Sequence, residues 1–224
     1  VSNKDSLKGL LDTTNIERTK KKPALVYLHG GFSLGYEDVE DCKPFIDKGF
    51  VVFAPSYRGE NGNPGNFEYF MGEVDDAKAA IRWLSEQPYV DKDSIYVFGH
   101  SIGGGMSLLL SLHNDIPIKA SASCAGIYDK GSMRRREEED KMVPYDISKS
   151  KENLYRLPIY TLDFMVREHK MYIGTDDNYR AYEKFVTQLY PMKVLKLQLI
   201  EVKGEHYSSL KPSMESFIKG IRQK

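Results

Sequence analysis

The stretch Ile95-Tyr96-Val97-Phe98-Gly99-His100-Ser101-Ile102-Gly103-Gly104-Gly105 decides the fold. Its first four residues are β-branched or aromatic and follow one another without a polar break. Such a run suits a strand buried on both faces. The small residues after Ser101, continuing into Leu108-Leu109-Leu110, suit a helix over 102–112. Between the two lies Gly-x-Ser-x-Gly. A serine on a sharp strand-to-helix turn needs glycine on both flanks, because side chains there would collide with neighbouring backbone. The turn lifts Oγ clear of the sheet, and the helix behind it supplies free N–H groups and a positive dipole end. The five letters alone are common and fit a mere packing turn. Placed between a buried strand and a small-residue helix, they mark Ser101 as a nucleophile.

Working outward, further apolar runs occur at 24–28, 50–55, 118–124, 171–174 and 195–202. The last alternates Leu195, Leu197 and Leu199 with Lys196 and Gln198, as a strand nearer a sheet edge would. Helical periodicity covers 73–87, with acids in its first turn and Pro88 after it, and also 102–112, 179–190 and 212–221. Strand–helix alternation of this kind predicts a mostly parallel, doubly wound sheet with helices on both faces. Residues 128–170 break the rhythm and exceed an ordinary connection. Their charge run, Met133-Arg134-Arg135-Arg136-Glu137-Glu138-Glu139-Asp140, fits an exposed helix with opposed charges or a cap over a site. The polar first 23 residues, with Lys20-Lys21-Lys22 before Pro23, read as an edge hairpin or an extended arm.

With 224 residues, 41% hydrophobic and 29% charged, the chain can bury a core and is expected to form one domain. Thirty-two Lys+Arg against 32 Asp+Glu remove the electrostatic case for a nucleic-acid binder. No apolar run approaches the roughly 20 residues that span a bilayer. Two cysteines exclude a disulfide scaffold and a four-thiolate zinc site. Cys42 and Cys124 read as small buried side chains; a bridge between them has no support in the sequence. Localisation stays open between cytoplasmic and exported with a signal removed, and the chain equally fits a piece of a longer protein.

A serine nucleophile needs a base and an orienting acid, here in the order Ser, acid, His. Of the five histidines, His206 in Lys203-Gly204-Glu205-His206-Tyr207 follows the last apolar run and precedes the final helix, where a loop can carry it over the strand ends. His29 closes a strand and shapes a loop. His100 is locked in the elbow, pointing away from Oγ. His113 ends a helix, and His169 precedes a run in a charged stretch. For the acid, Gly174-Thr175-Asp176-Asp177 ends a short strand with two carboxylates. Asp177 is preferred, Asp176 second and Asp163 a distant third. The acid left over would cap the helix before Tyr179. Oxyanion donors are expected from the N–H of Ile102 and from the loop His29-Gly30-Gly31-Phe32, in the Gly31–Phe32 neighbourhood.

Together the His29-Gly30-Gly31 loop, Tyr57-Arg58-Gly59, Val74-Asp75-Asp76 with Trp83-Leu84, the Gly99–Gly104 elbow, Gly174-Thr175-Asp176-Asp177 and Gly204-Glu205-His206 resemble the α/β-hydrolase superfamily. More narrowly, they resemble the catalytic domain of the prolyl oligopeptidase family and its dienelactone-hydrolase-like relatives. The resemblance covers Pro23 to the end of the chain. It implies an α/β-hydrolase fold with a short cap insertion at 128–170, within one domain over 1–224. It implies a Ser–Asp–His hydrolase of esters or amides with no metal or organic cofactor, acting on a small-molecule ester or a short peptide. It also casts Arg58 with Asp75 or Asp76 as a buried scaffold tie. Ser101 departs from dienelactone hydrolases, whose nucleophile is a cysteine. These 224 residues hold no β-propeller of the kind the large peptidases carry, so a carboxylesterase is the first expectation. An exopeptidase or acylaminoacyl-type peptidase is the second, and a non-catalytic interaction protein on the same fold is the third. The aromatics Tyr145, Tyr155, Tyr160 and Phe164 could line a substrate pocket or pack the cap. Oligomeric state is not readable.

Overall fold

Seven strands form one sheet in the order β1-β3-β2-β4-β5-β6-β7. The computed structural model describes residues 7–17, 19–31, 33–141, 143–189 and 196–222. The strands are β1 (Gly9–Asp12), β2 (Lys22–Leu28), β3 (Val51–Pro55), β4 (Val90–His100), β5 (Ala120–Cys124), β6 (His169–Gly174) and β7 (Leu197–Val202). The helices are α1 (Tyr36–Asp41), α2 (Lys43–Ile46), α3 (Gly72–Ser85), α4 (Ile102–Leu110), α5 (Lys130–Asp140), α6 (Ser150–Arg156), α7 (Arg180–Leu189) and α8 (Leu210–Arg222). Every strand pair is parallel except β1 with β3.

The mostly parallel sheet is the one the continuous apolar runs predict. Leu25, Val26, Leu28, Ile95, Val97 and Phe98 have no exposed surface, because helices cover these central strands. Phe98 on β4 meets Phe45 of α2 and Phe217 of α8, and Phe45 and Phe217 also meet each other. Helices α3 and α4 pack together as another layer against β2 and β4. β7 lies at the sheet edge, as its alternating pattern requires.

The differences from expectation have local causes. β4 starts at Val90, five residues before the apolar run, because Asp91-Lys92-Asp93-Ser94 are polar residues of a strand end that projects toward solvent. Helices α1 and α2 were not expected; they have six and four residues, too few for a periodic pattern. Among the described residues, the early polar segment forms no hairpin with β2. Its residues Gly9–Asp12 instead pair antiparallel with β3 at the edge of the sheet. The opening of the sixth apolar run and the end of the third helical pattern fall within 190–195, outside the described residues. Residues 128–170 contain α5, α6 and two 3₁₀ turns, at Pro158–Tyr160 and Leu162–Phe164, and the next strand opens at His169.

The register aligns the carboxyl ends of the parallel strands. Leu28 stands beside Gly99, His100 beside Cys124, and Gly174 beside Val202. In an open parallel sheet that edge is where a ligand crevice forms.

Candidate active site

Ser101 sits at the junction of β4 and α4 with φ 52° and ψ −116°. A non-glycine residue held there is strained, at a cost of order 1–3 kcal/mol, and such strain clusters at functional sites. The neighbours explain the flanking glycines. A Cβ on Gly99 would fall on the Gly103 carbonyl, and one on Gly103 would fall on the Leu28 carbonyl. The turn is fixed from outside by Ser101 N–H donating to the Cys124 carbonyl at 3.0 Å. Ile102 is the first residue of α4, so its N–H has no partner within the helix.

The loop after β2 lies against this elbow. A Cβ on Gly30 would stand 3.1 Å from Ser101 Cβ, and Gly31 has φ +72°, where glycine is unstrained. His29, fully buried, holds the loop from beneath. Its Nε2 bonds Glu60 Oε1 at 3.0 Å, its Nδ1 faces the Gly30 carbonyl at 2.9 Å, and its ring stacks on Tyr57. The Glu60 carboxylate and the Gly30 carbonyl raise the His29 pKa against the opposing effect of burial, the largest single influence. Asn61 adds a second clamp, accepting from Leu34 N–H and donating to the Leu34 carbonyl. Phe32, the other oxyanion expectation in this loop, lies outside the described residues.

His206 lies between β7 and α8, with its side chain 22% exposed. Its Nδ1 is 3.0 Å from Oδ2 of Asp177, whose side chain has no exposure. Asp177 Oδ1 accepts from Tyr179 N–H at 2.7 Å. The same carboxylate therefore meets the histidine and closes the turn into α7, two tasks that the sequence reading divided between Asp176 and Asp177. Asp176 is exposed and accepts from Thr175 Oγ1, and Asp163 is exposed in a 3₁₀ turn; neither is bonded to a histidine. The loops carrying Asp177 and His206 are tied by Asp176 N–H to the Gly204 carbonyl and Thr175 N–H to the Val202 carbonyl. Among the described residues no hydrogen bond closes between Ser101 Oγ and the His206 ring. In unliganded sites this bond often tightens only with substrate bound.

Among the described residues, three rings surround His206: His100 at 4.8 Å, Tyr207 at 5.2 Å and Tyr179 at 5.5 Å between centroids. Tyr207 is exposed, whereas Tyr179 is buried and donates to Glu139 of α5. The charged helix α5 thus reaches the wall of the site, and Arg135 lies over the Tyr179 ring. Behind Asp177, Glu183 of α7 is fully buried. Burial pushes its carboxyl well above the usual range, and the Asp177 charge adds to the rise. One oxygen accepts from Gly126 N–H; among the described residues the other has no partner. Periodicity marked 179–190 as a helix but carried no sign that Glu183 points inward.

The remaining histidines lie apart from this cluster. His169 is buried in β6 between two serines, and His113 is half-exposed beside Lys78 and Asp115. The scaffold tie forms through Asp76 and not Asp75. Arg58 Nε and Nη2 bond its two oxygens at 3.0 and 2.8 Å, and Asp75 is exposed. Cys42 and Cys124 are both buried free thiols. Among the described residues, no group of three or more His, Cys, Asp or Glu is placed to hold a metal, and no helix is long and apolar enough to cross a membrane.

Comparison with known proteins points the same way as the sheet. Residues 8–137 match the family described as X-Pro dipeptidyl-peptidase (S15 family). The chain is 35% identical over 130 residues to the uncharacterized peptidase YtmA of Bacillus subtilis, covering 58% of this chain and 50% of that protein. It is 27% identical over 143 residues to dipeptidyl-peptidase 5 of Porphyromonas gingivalis, covering 59% of this chain and 21% of that one. The chain therefore spans half or less of the length of these two curated relatives. Among solved structures, a puromycin-hydrolyzing peptidase of Mycobacterium tuberculosis superposes with TM-score 0.74 at 21% identity, over 91% of this chain and 34% of that one. The propionate-bound esterase Est2 of Thermogutta terrifontis superposes with TM-score 0.73 at 18% identity, over 99% of this chain and 90% of that one. The fold is that of the α/β-hydrolases.

Proposed function

The chain belongs to the family described as X-Pro dipeptidyl-peptidase (S15 family), and from that premise we propose that it is a serine hydrolase working through Ser101, His206 and Asp177. The observation that carries the proposal is the buried Asp177 carboxylate bonded to His206 Nδ1, on the strand edge that also presents Ser101 in a strained elbow. With Nδ1–H donated to Asp177, Nε2 is the basic nitrogen. It takes the Ser101 Oγ proton as Oγ attacks an acyl carbonyl. The same proton then passes to the leaving alkoxide or amine, and water, activated by His206, releases the acid. Asp177 accepts from Nδ1–H and orients the imidazolium. The N–H of Ile102 and backbone donors of the Gly31–Phe32 loop hold the developing oxyanion.

The substrate we propose is a carboxylic ester, in keeping with a site whose histidine is partly open to solvent and a chain matched over nearly its whole length by an esterase fold. Peptide cleavage is the second reading, supported by the family description and the peptidase names of the relatives. The test compares a short-chain p-nitrophenyl ester with a matched aminoacyl p-nitroanilide, using Ser101→Ala as the blank for both. Ser101-dependent turnover of the ester alone is expected. Comparable kcat/KM on the anilide would replace the esterase with a peptidase. Failure of wild-type protein to label with a fluorophosphonate would overturn both.

A further inference from the structure

We propose that His100 is a positioning residue, which holds the His206 loop in place over the nucleophile by donating its Nε2–H to the His206 main-chain carbonyl. The contact is 3.0 Å, between residues 106 apart in the chain. Its consequence for rate rests on the serine-hydrolase reading above; the bond itself does not.

His100 is 3% exposed and is the last residue of β4, at the end of a run of six buried residues. Its ring lies 4.8 Å from the His206 ring and 5.3 Å from Tyr207. On the other side, a Cβ on Gly30 would stand 3.2 Å from His100 Nδ1. The ring is thus wedged between the glycine loop and the loop that carries the base. It also adjoins Ser101 covalently. One bond from this ring therefore ties the base loop to the same rigid strand end that fixes the nucleophile. The imidazole of His206 is held at Nδ1 by Asp177, and its main-chain carbonyl is held mainly by His100. Among the described residues, the other group bonded to that carbonyl, Ser209 Oγ, is at 3.5 Å.

The tether suits the chemistry because it is neutral. A carbonyl only accepts, so Nε2 carries the hydrogen and Nδ1 is bare in the uncharged ring. Burial, and then the adjoining His206, bring the His100 pKa down to about 4; Arg136 of α5 acts in the same direction, while Asp177 and the bond to the carbonyl oppose. His100 thus stays uncharged while His206 passes between imidazole and imidazolium, and it adds no repulsion to the charged state. A phenyl ring would fill the same space without the N–H; a glutamine would restore a donor at similar reach.

The test uses His100→Phe and His100→Gln on the full chain with p-nitrophenyl butyrate. For His100→Phe, kcat should fall by about 10–100-fold, the scale of a small misplacement of a reacting group, with KM within about twofold of wild type. His100→Gln should recover most of the loss. Wild-type kcat in His100→Phe, or a Gln variant no better than Phe, would overturn the proposal. The contact is judged without any variant by ¹⁵N NMR of the wild-type histidines. The expected signature is a neutral Nε2–H tautomer for His100 at pH 6, and an Nδ1–H tautomer would refute the bond even if His100→Phe failed to fold. If wild-type turnover proved independent of Ser101, the hydrolase reading and the rate effect would fall together, and the tautomer would still decide the contact.

Discussion

Replacing His169 by Asn tests how this fold buries a histidine without charge. His169 is 1% exposed in β6, with Nδ1 at 2.8 Å from Ser121 Oγ and Nε2 at 2.8 Å from Ser123 Oγ, which also receives the Tyr128 hydroxyl. Both serines are neutral, and among the described residues no carboxylate offsets the desolvation of a cation, so the ring's pKa falls to about 3. In the unfolded chain it returns to about 6.5. The unfolded chain therefore takes up the proton first as pH drops. The folded state keeps this contribution above about pH 6.5 and loses it progressively toward pH 3. At pH 5 the loss is ~2 kcal/mol, from 1.5 pH units below the unfolded pKa at ~1.4 kcal/mol each. The figure requires only that the folded pKa lie well below 5. Asn keeps a donor and an acceptor but does not titrate. Urea unfolding followed by circular dichroism, at pH 7 and pH 5 for both proteins, reads the effect as a double difference in which other titrating groups cancel. His169→Asn should be destabilised at pH 7, and the gap to wild type should shrink by ~2 kcal/mol at pH 5. A gap that does not change with pH would mean that the ring protonates freely in the folded protein, and the reasoning would be wrong.

Two further outcomes bear on the site and its scaffold. Asp177→Asn should lower kcat on the order of 10³–10⁴-fold, because an amide no longer enforces the Nδ1–H tautomer of His206 or balances its imidazolium, whereas Asp176→Asn should stay within about twofold; steady-state turnover of the two variants separates them. Arg58→Lys replaces two parallel bonds to the 7%-exposed Asp76 side chain with at most one, and should cost about 1–2 kcal/mol. A thermal melt should then fall by a few degrees, and an unchanged melt would show that the tie contributes nothing.

Much of the fold was readable because its signals are local. A strand buried on both faces must be apolar throughout, so the runs at 24–28, 50–55 and 95–99 announced the central sheet. The elbow was readable for a similar reason: Gly99 and Gly103 leave no room for a Cβ, and that constraint writes glycine into the sequence. Elements whose residues answer to distant partners were less legible. The first strand is four residues long and owes its position to pairing with β3, so nothing in 9–12 announced it. Helices α1 and α2 are too short to show a period. Polar residues 91–94 concealed the opening residues of β4.

The candidate site divides along the same line. The sequence determined that Ser101 would stand on a turn between a buried strand and a helix, and that His206 and a neighbouring pair of carboxylates would follow it in order. Each of those features is a property of a few consecutive residues and their backbone. Only the tertiary structure decided which carboxylate turns inward, because Asp176 and Asp177 are adjacent and chemically alike, and burial against His206 distinguishes them. Only the tertiary structure placed His100 against the His206 carbonyl, His29 on Glu60 and the buried Glu183 against the Gly126 N–H. Those contacts join residues far apart in the chain, through side chains whose directions are set by packing, which periodicity and spacing do not encode.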